Sequence, residues 1–308
     1  MNSQKPKIAL YVQRSFGDKL TAAFNFFGEN WKVLLKYCIY LILPICVVQA
    51  LFMNTFMGGY MNLVTNSGSG GLFDSAGVSF WLSYGILIIL SMIGSLVMSS
   101  LVYALVKIYN DRENRLEDLT FVELKPVLFR CMGRIFLIGL FFIGISILYF
   151  AVAGILTMAT PLTLLLTVPL VIAAVIPLAI FPPIYLFEEI DLWEAFVKAL
   201  RVGFSTWGGI FGIAFVTGLI SNVLYGVASI PWYTMYIVKM FLTSGTSQEV
   251  VASMGYSVVN YLFGIIMAFG IYISCIFPIL GLVYQYGHSC EKMEHTSIVD
   301  DIDKFEQL

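Results

Sequence analysis

Ile135-Phe-Leu-Ile-Gly-Leu-Phe-Phe-Ile-Gly-Ile-Ser-Ile-Leu-Tyr-Phe-Ala-Val-Ala-Gly-Ile-Leu-Thr-Met158 runs for 24 residues without a charged side chain. A helix rises about 1.5 Å per residue, so about 20 apolar residues cross a hydrocarbon core about 30 Å thick. The stretch is too long for a barrel strand and does not alternate polar with apolar residues, so it reads as a helix. Five further stretches qualify: Val33–Phe56, Val78–Ile108, Leu162–Phe187, Thr206–Ile230 and Ser253–Tyr286. The expected fold is therefore all-α: a polytopic membrane bundle of six transmembrane helices with cytoplasmic interfacial amphipathic helices.

Composition agrees with this reading. Of 308 residues, 59% are hydrophobic and only 12% charged, and mean hydropathy is +0.88. A soluble chain carries roughly 25% charged residues because its surface faces water. Half that density excludes a soluble enzyme, a disordered chain and a disulfide scaffold. A net charge of -2 excludes a nucleic-acid binder. The partners expected are the lipid bilayer and a protein at the cytoplasmic face, with no nucleic acid and no cofactor.

Orientation follows from Lys and Arg, which concentrate in cytoplasmic loops. Lys5, Lys7, Arg14, Lys19, Lys32 and Lys36 precede or open the first span, and six more lie between Lys107 and Arg134. Lys198, Arg201, Lys292 and Lys304 fall on the same side, so 16 of 17 basic residues share it and Lys239 alone opposes them. Among the acids, only Asp74 and Glu249 join Lys239. Both termini are thus expected in the cytoplasm, with the chain in a bacterial inner membrane. The division expected is a cytoplasmic segment 1–32 containing an amphipathic helix, a six-span domain 33–287, and an acidic tail 288–308. The first apolar run is too long for a signal-peptide core and reads as an uncleaved span.

Trp31, Trp81, Trp193, Trp207 and Trp232 all fall at or just beyond expected span ends, where amphipathic rings meet headgroups. The five cysteines lie in spans or on the cytoplasmic side without a CxxC pair, so free thiols are expected. Asn66-Ser-Gly-Ser-Gly-Gly71 reads as a slack external linker.

Three segments carry an apolar stripe opposite charge. Leu20, Ala23, Phe24, Phe27 and Trp31 recur at helical spacing, as do Leu192, Phe196, Ala199, Leu200, Gly203, Phe204 and Trp207. Thr120-Phe-Val-Glu123 is a capping-box pattern opening a segment toward Arg134. Such stripes suit helices lying in the headgroup plane, and the chain divides into three units, each an interfacial helix followed by a span out and a span back.

Polar residues inside spans are costly and mark candidates for function. No Asp, Glu, Arg or His lies deep in an expected span, which lowers the case for a proton-coupled pump or a carboxylate filter. Asn222 and Asn260, in the fifth and sixth spans, fall at similar depth and are the candidate interhelical polar pair or solute path. Prolines at 161, 169, 177, 182 and 183 cluster in the fourth span, with Pro44 and Pro278 in the first and sixth. Each removes a helix hydrogen bond and kinks the rod, as in transporters near substrate sites or wherever helices merely curve around one another. Ser91, Ser95 and Ser99, Gly208 and Gly212, and Gly264 with Ala268 form packing stripes. In the tail, His288, Cys290, Glu291, Glu294 and His295 are metal-ligand types, but without a second ligand cluster they read as a solvated helix. Ile298, Ile302 and Phe305 make a short docking stripe. No catalytic residue, metal site or nucleotide motif is identified.

Phe181-Pro-Pro-Ile-Tyr-Leu-Phe-Glu188, followed by Ala195, Gly203 and Trp207, and the exit Val283-Tyr-Gln-Tyr286 leading to Glu291 and Glu294, carry a family likeness. They resemble six-span bacterial membrane proteins of unknown function, and the membrane domain attached to some glycerophosphodiester phosphodiesterases. The catalytic barrel of those enzymes has no counterpart outside the spans of these 308 residues, so the resemblance implies an architecture rather than an activity. The expected role is a non-enzymatic integral membrane protein acting through lipid or protein partners. The alternative is a transporter or channel for a small, weakly polar or lipid-like solute.

Overall fold

The computed structural model describes residues 6–65, 72–160, 162–243 and 254–294. The linker 66–71, Pro161, Glu249, His295 and the stripe at 298, 302 and 305 lie outside the described residues, as does the side chain of Asp74. Helices account for nearly all of the described chain: α1 (Phe16–Leu41), α2 (Leu43–Thr65), α3 (Leu72–Asp111), α4 (Phe121–Ala159), α5 (Thr163–Leu178), α6 (Phe181–Phe187), α7 (Leu192–Ser205), α8 (Trp207–Thr243), α9 (Met254–Ser274) and α10 (Ile276–Glu294). Six stretches are long and apolar enough to cross a membrane: Leu43–Tyr60, Gly77–Asp111, Phe121–Met158, Thr167–Phe187, Trp207–Lys239 and Gly255–Glu294. The chain is a multi-pass, all-helical membrane protein.

Prolines set several of the breaks. Pro44 has no N–H to offer the carbonyl four residues back, and the helix interrupts at Ile42 between α1 and α2. Pro278 accompanies the interruption at Cys275 between α9 and α10. The fourth span breaks at residues 179–180, after Pro177 and before Pro182 and Pro183 occupy the first turn of α6. Pro231 differs. The fifth span was expected to end there, yet α8 continues through it to Thr243, because a membrane helix tolerates one missing bond when its neighbours hold it. Trp232 is consequently buried at 3% exposure beside Tyr236 and Met267, rather than standing at a span end.

The interfacial stripes take two forms. At α7 the amphipathic helix is separate: its Ala195, Ala199, Val202 and Gly203 face packs against α5 and α6, while Trp193, Val197 and Phe204 stay exposed. Gly203 admits Pro177, whose Cα would lie 2.7 Å from an added Cβ. The helix stops at Thr206, whose hydroxyl turns back to the Val202 carbonyl at 2.9 Å. At α1 and α4 the stripe runs unbroken into the following apolar segment. The Glu123 carboxylate accepts the Thr120 N–H at 3.2 Å, as the capping pattern requires.

The described helices sort into two compact units. One comprises Met1–Leu34, Ser99–Leu219 and Phe277–Leu308; the other comprises Leu35–Met98 and Ile220–Ile276. In the first, Phe26, Tyr109 and Tyr284 form an aromatic core with ring centroids 5.0 and 6.5 Å apart, and the extended segment before α1 lies against α10. In the second, α2 packs along α9. All five cysteines are free, and only Cys275 is exposed.

Candidate intramembrane binding groove

Two amides on α2 organise the second unit. Gln49 is 4% exposed; its Nε2 donates to the Tyr272 hydroxyl of α9 at 2.9 Å and to Ser91 Oγ of α3 at 3.2 Å. Gly94 makes room for that junction, since a Cβ there would overlap the Tyr272 phenol. Five residues after Gln49, Asn54 Oδ1 accepts from the Tyr236 hydroxyl of α8 and from Asn260 Nδ2 of α9, each at 2.9 Å. Gly264 allows α9 to approach, with an added Cβ 3.3 Å from that of Ala50. An amide inside a span is tolerated when it binds neighbouring helices in this way.

Of the two candidate asparagines, Asn260 is therefore at a polar junction and Asn222 is not part of it. Asn260 gives its Nδ2 protons to Asn54 and Tyr236, whereas Asn222 lies on an exposed face of α8. The expected pairing of the two rested on a break at Pro231. Because α8 continues, Tyr236 rather than Asn222 meets Asn260. Gln49 and Asn54 went unremarked in the sequence, although two amides in one apolar span are a visible signal. A double-mutant cycle of Asn54→Leu and Asn260→Leu, read by thermal unfolding in detergent, should give a coupling of about 0.6–2 kcal/mol.

Between these junctions opens a groove of about 500 Å³, lined by Met53, Phe56, Met57, Trp232 and Met267, with Gln49, Ser91, Ser95 and Tyr272 as its polar groups. A shallower hollow along α3 shares Phe56, Ser91 and Ser95 with it. Ser91 and Ser95 are exposed, so the groove is open at that wall. Gln49 Oε1 is buried and has no hydrogen-bond partner among the described residues. A concave apolar site with a few convergent polar groups is the usual form of a small-molecule site.

The first unit holds a different cluster. Glu188 closes α6 and accepts from the Tyr286 hydroxyl at 3.0 Å, while Lys198 Nζ stands 2.7 Å from Glu188 and 2.5 Å from Glu294. Arg201 adds a second contact to Glu294 at 3.1 Å. Burial alone would lower the Lys198 pKa, but its bonds to Glu188 and Glu294 outweigh that and raise it. Glu188, Cys290 and Glu294 bring ligand atoms within 4.8 Å of one another, and Lys198 is the cation bridging the two carboxylates. Next in sequence, Glu189 takes a left-handed φ of 58° and pairs with Lys107 at 2.7 Å and Arg130 at 3.0 Å. The hydrogen bond from Lys107 leads in holding its pKa below the usual range.

A model of a family described as a protein of unknown function (DUF2933) matches residues 19–63, which cover most of α1 and α2 and include Gln49 and Asn54. Neither a curated protein nor a solved structure matches the chain.

Proposed function

We propose that this is a non-enzymatic membrane protein that acts by holding a lipid-like molecule, an acyl chain with a polar ester or hydroxyl end, in the groove beside Gln49. The observation that carries this reading is Gln49 Oε1, without a hydrogen-bond partner among the described residues, at a mostly apolar, open-walled groove. Exposed Ile88, Ile89, Met92 and Ile93 flank that wall on α3, within a stretch apolar enough to face hydrocarbon, so an acyl chain could enter sideways. The groove's polar lining consists of amide, hydroxyl and phenol groups, which suit binding better than acid–base chemistry.

We place the protein in a bacterial inner membrane with both termini in the cytoplasm, on the strength of its one-sided Lys and Arg distribution. The same side is where a protein partner would dock. The likeness to the membrane domain attached to some glycerophosphodiester phosphodiesterases agrees with a lipid-facing role.

A diazirine-tagged phospholipid should crosslink to peptides of α2 and α3 lining the groove, and Ser95→Phe should abolish that labelling. Uniform labelling along the exposed helix faces, unchanged by Ser95→Phe, would refute the site. A carrier or channel for a lipid-like solute would use the same groove, and then reconstituted vesicles should show flux that Ser95→Phe stops.

A further inference from the structure

Another cavity lies in the first unit, where the extended segment before α1 arches over the α1 surface. It encloses about 820 Å³ between Lys7, Arg14, Phe24, Glu29 and Arg115, with Val12 on its rim. Three cations meet one carboxylate there, and that carboxylate is engaged: Glu29 pairs with Arg115 at 2.6 Å and accepts from the Tyr109 hydroxyl at 3.3 Å. Lys7 instead donates to the main-chain carbonyls of Asn110 and Arg112 and lies 5.8 Å from the Tyr109 ring centre. Arg14 donates to the carbonyls of Leu10 and Ala9 and lies 5.4 Å from the Tyr284 ring centre. Neither cation forms an ion pair among the described residues. Asp18, the acid nearest in effect to Arg14, is bound by the Ser15 hydroxyl at 2.6 Å.

Those neutral partners hold the two cations in place without cancelling their charge. Behind them Lys19, 4% exposed, has Gln285 as its hydrogen-bond partner at 2.9 Å, and Lys292 adds further positive charge. The rim is apolar, with Val12 and Phe24 at 39% and 42% exposure. A positively charged pocket with an apolar lip, beside the end of the apolar stretch Gly77–Asp111, matches an amphiphile with an anionic head. We propose that this cavity binds the phosphate headgroup of an anionic phospholipid, with Lys7 and Arg14 as its charge partners and Phe24 against the first acyl carbons. This site is separate from the groove beside Gln49, and neither requires the other.

The test uses the full chain in nanodiscs of phosphatidylglycerol or phosphatidylcholine, with lipid retention after extraction read by native mass spectrometry. The chain should retain phosphatidylglycerol and release phosphatidylcholine. Lys7→Gln with Arg14→Gln should weaken retention about thirtyfold, as expected for two cations near a membrane surface. Glu29→Gln removes the opposing charge and should strengthen it several-fold, a change of sign that loss of folding cannot mimic. Ser95→Phe should leave it unaltered. Equal retention of both lipids, or retention indifferent to the Lys7, Arg14 and Glu29 changes, would overturn the proposal. Equal protection by inorganic phosphate against thermal unfolding would overturn its assignment to a lipid.

Discussion

Gly287→Ala should release the segment before α1 and destabilise the protein by about 1–3 kcal/mol, the usual cost of overpacking a tight contact. The reason is local. On α10, Gly287 lies against the main chain of Leu10, and an added Cβ would overlap the Leu10 carbonyl oxygen and stand 2.9 Å from its carbon. Backbone on both sides leaves no side chain able to swing away. Leu10 is itself buried, and the Tyr11 and Tyr286 hydroxyls lie 3.1 Å apart beside it. The Arg14 N–H donates to His288 Nδ1 at 3.1 Å, so one methyl group challenges the whole seam. Limited proteolysis should show cleavage between residues 6 and 15 at rates well above those of the native chain. Phosphatidylglycerol retention should fall in parallel. Unchanged proteolysis and melting temperature would show that the segment is held by other contacts.

Lys198→Met carries the other large effect, a loss of about 2–4 kcal/mol. Removing one partner of a buried ionic group strands the charge left behind; here Glu188 loses its cation while Glu294 keeps Arg201 at 3.1 Å. Side-chain exposures of 17% for Lys198 and Glu188 and 30% for Glu294 leave some solvent screening, which keeps the estimate below the fully buried limit. Glu188→Gln added to Lys198→Met should restore part of the loss, because the carboxylate left without a cation is then neutral. Denaturant unfolding in detergent reads both, and a loss under about 0.5 kcal/mol would place the cluster among ordinary surface ion pairs. The pH dependence has a definite sign. A lysine whose folded pKa is raised contributes fully below its unfolded value, and the contribution fades as pH climbs through the raised one. The cluster therefore weakens in alkali, above the ordinary lysine range.

The helical membrane architecture was readable because its signal is physical and long: six apolar stretches set by bilayer thickness, all six recovered as apolar helices. The breaks at Ile42, at 179–180 and at Cys275 lie beside prolines expected to kink the chain, since a missing N–H weakens the helix, whereas Pro169 lies inside continuous α5. Pro231 did not follow, because whether a helix breaks depends on what its neighbours supply, and Trp232 and Tyr236 pack here against α9-borne Met267. That one difference moved the polar junction from Asn222 to Tyr236. Glu188 was visible as the end of an apolar-Glu step, but its partners Lys198 and Glu294 are 10 and 106 residues away, a closure that periodicity does not encode. Gln49 stands in plain view as an uncharged polar residue among apolar ones, but its partners Ser91 and Tyr272 lie 42 and 223 residues away.

The way Gln49 is held sets what the groove can discriminate. Its amide nitrogen spends both protons on Ser91 and Tyr272, so those oxygens act as acceptors. The amide oxygen is left as the complementary acceptor. An occupant of pure hydrocarbon would keep that oxygen dry and unbonded, at about 1–3 kcal/mol. A fatty alcohol or monoacylglycerol whose hydroxyl reaches that oxygen would avoid the loss. If the groove holds a lipid-like chain as proposed, the orientation of a single side-chain amide would give a ten- to hundredfold preference for the hydroxylated chain over the matching alkane.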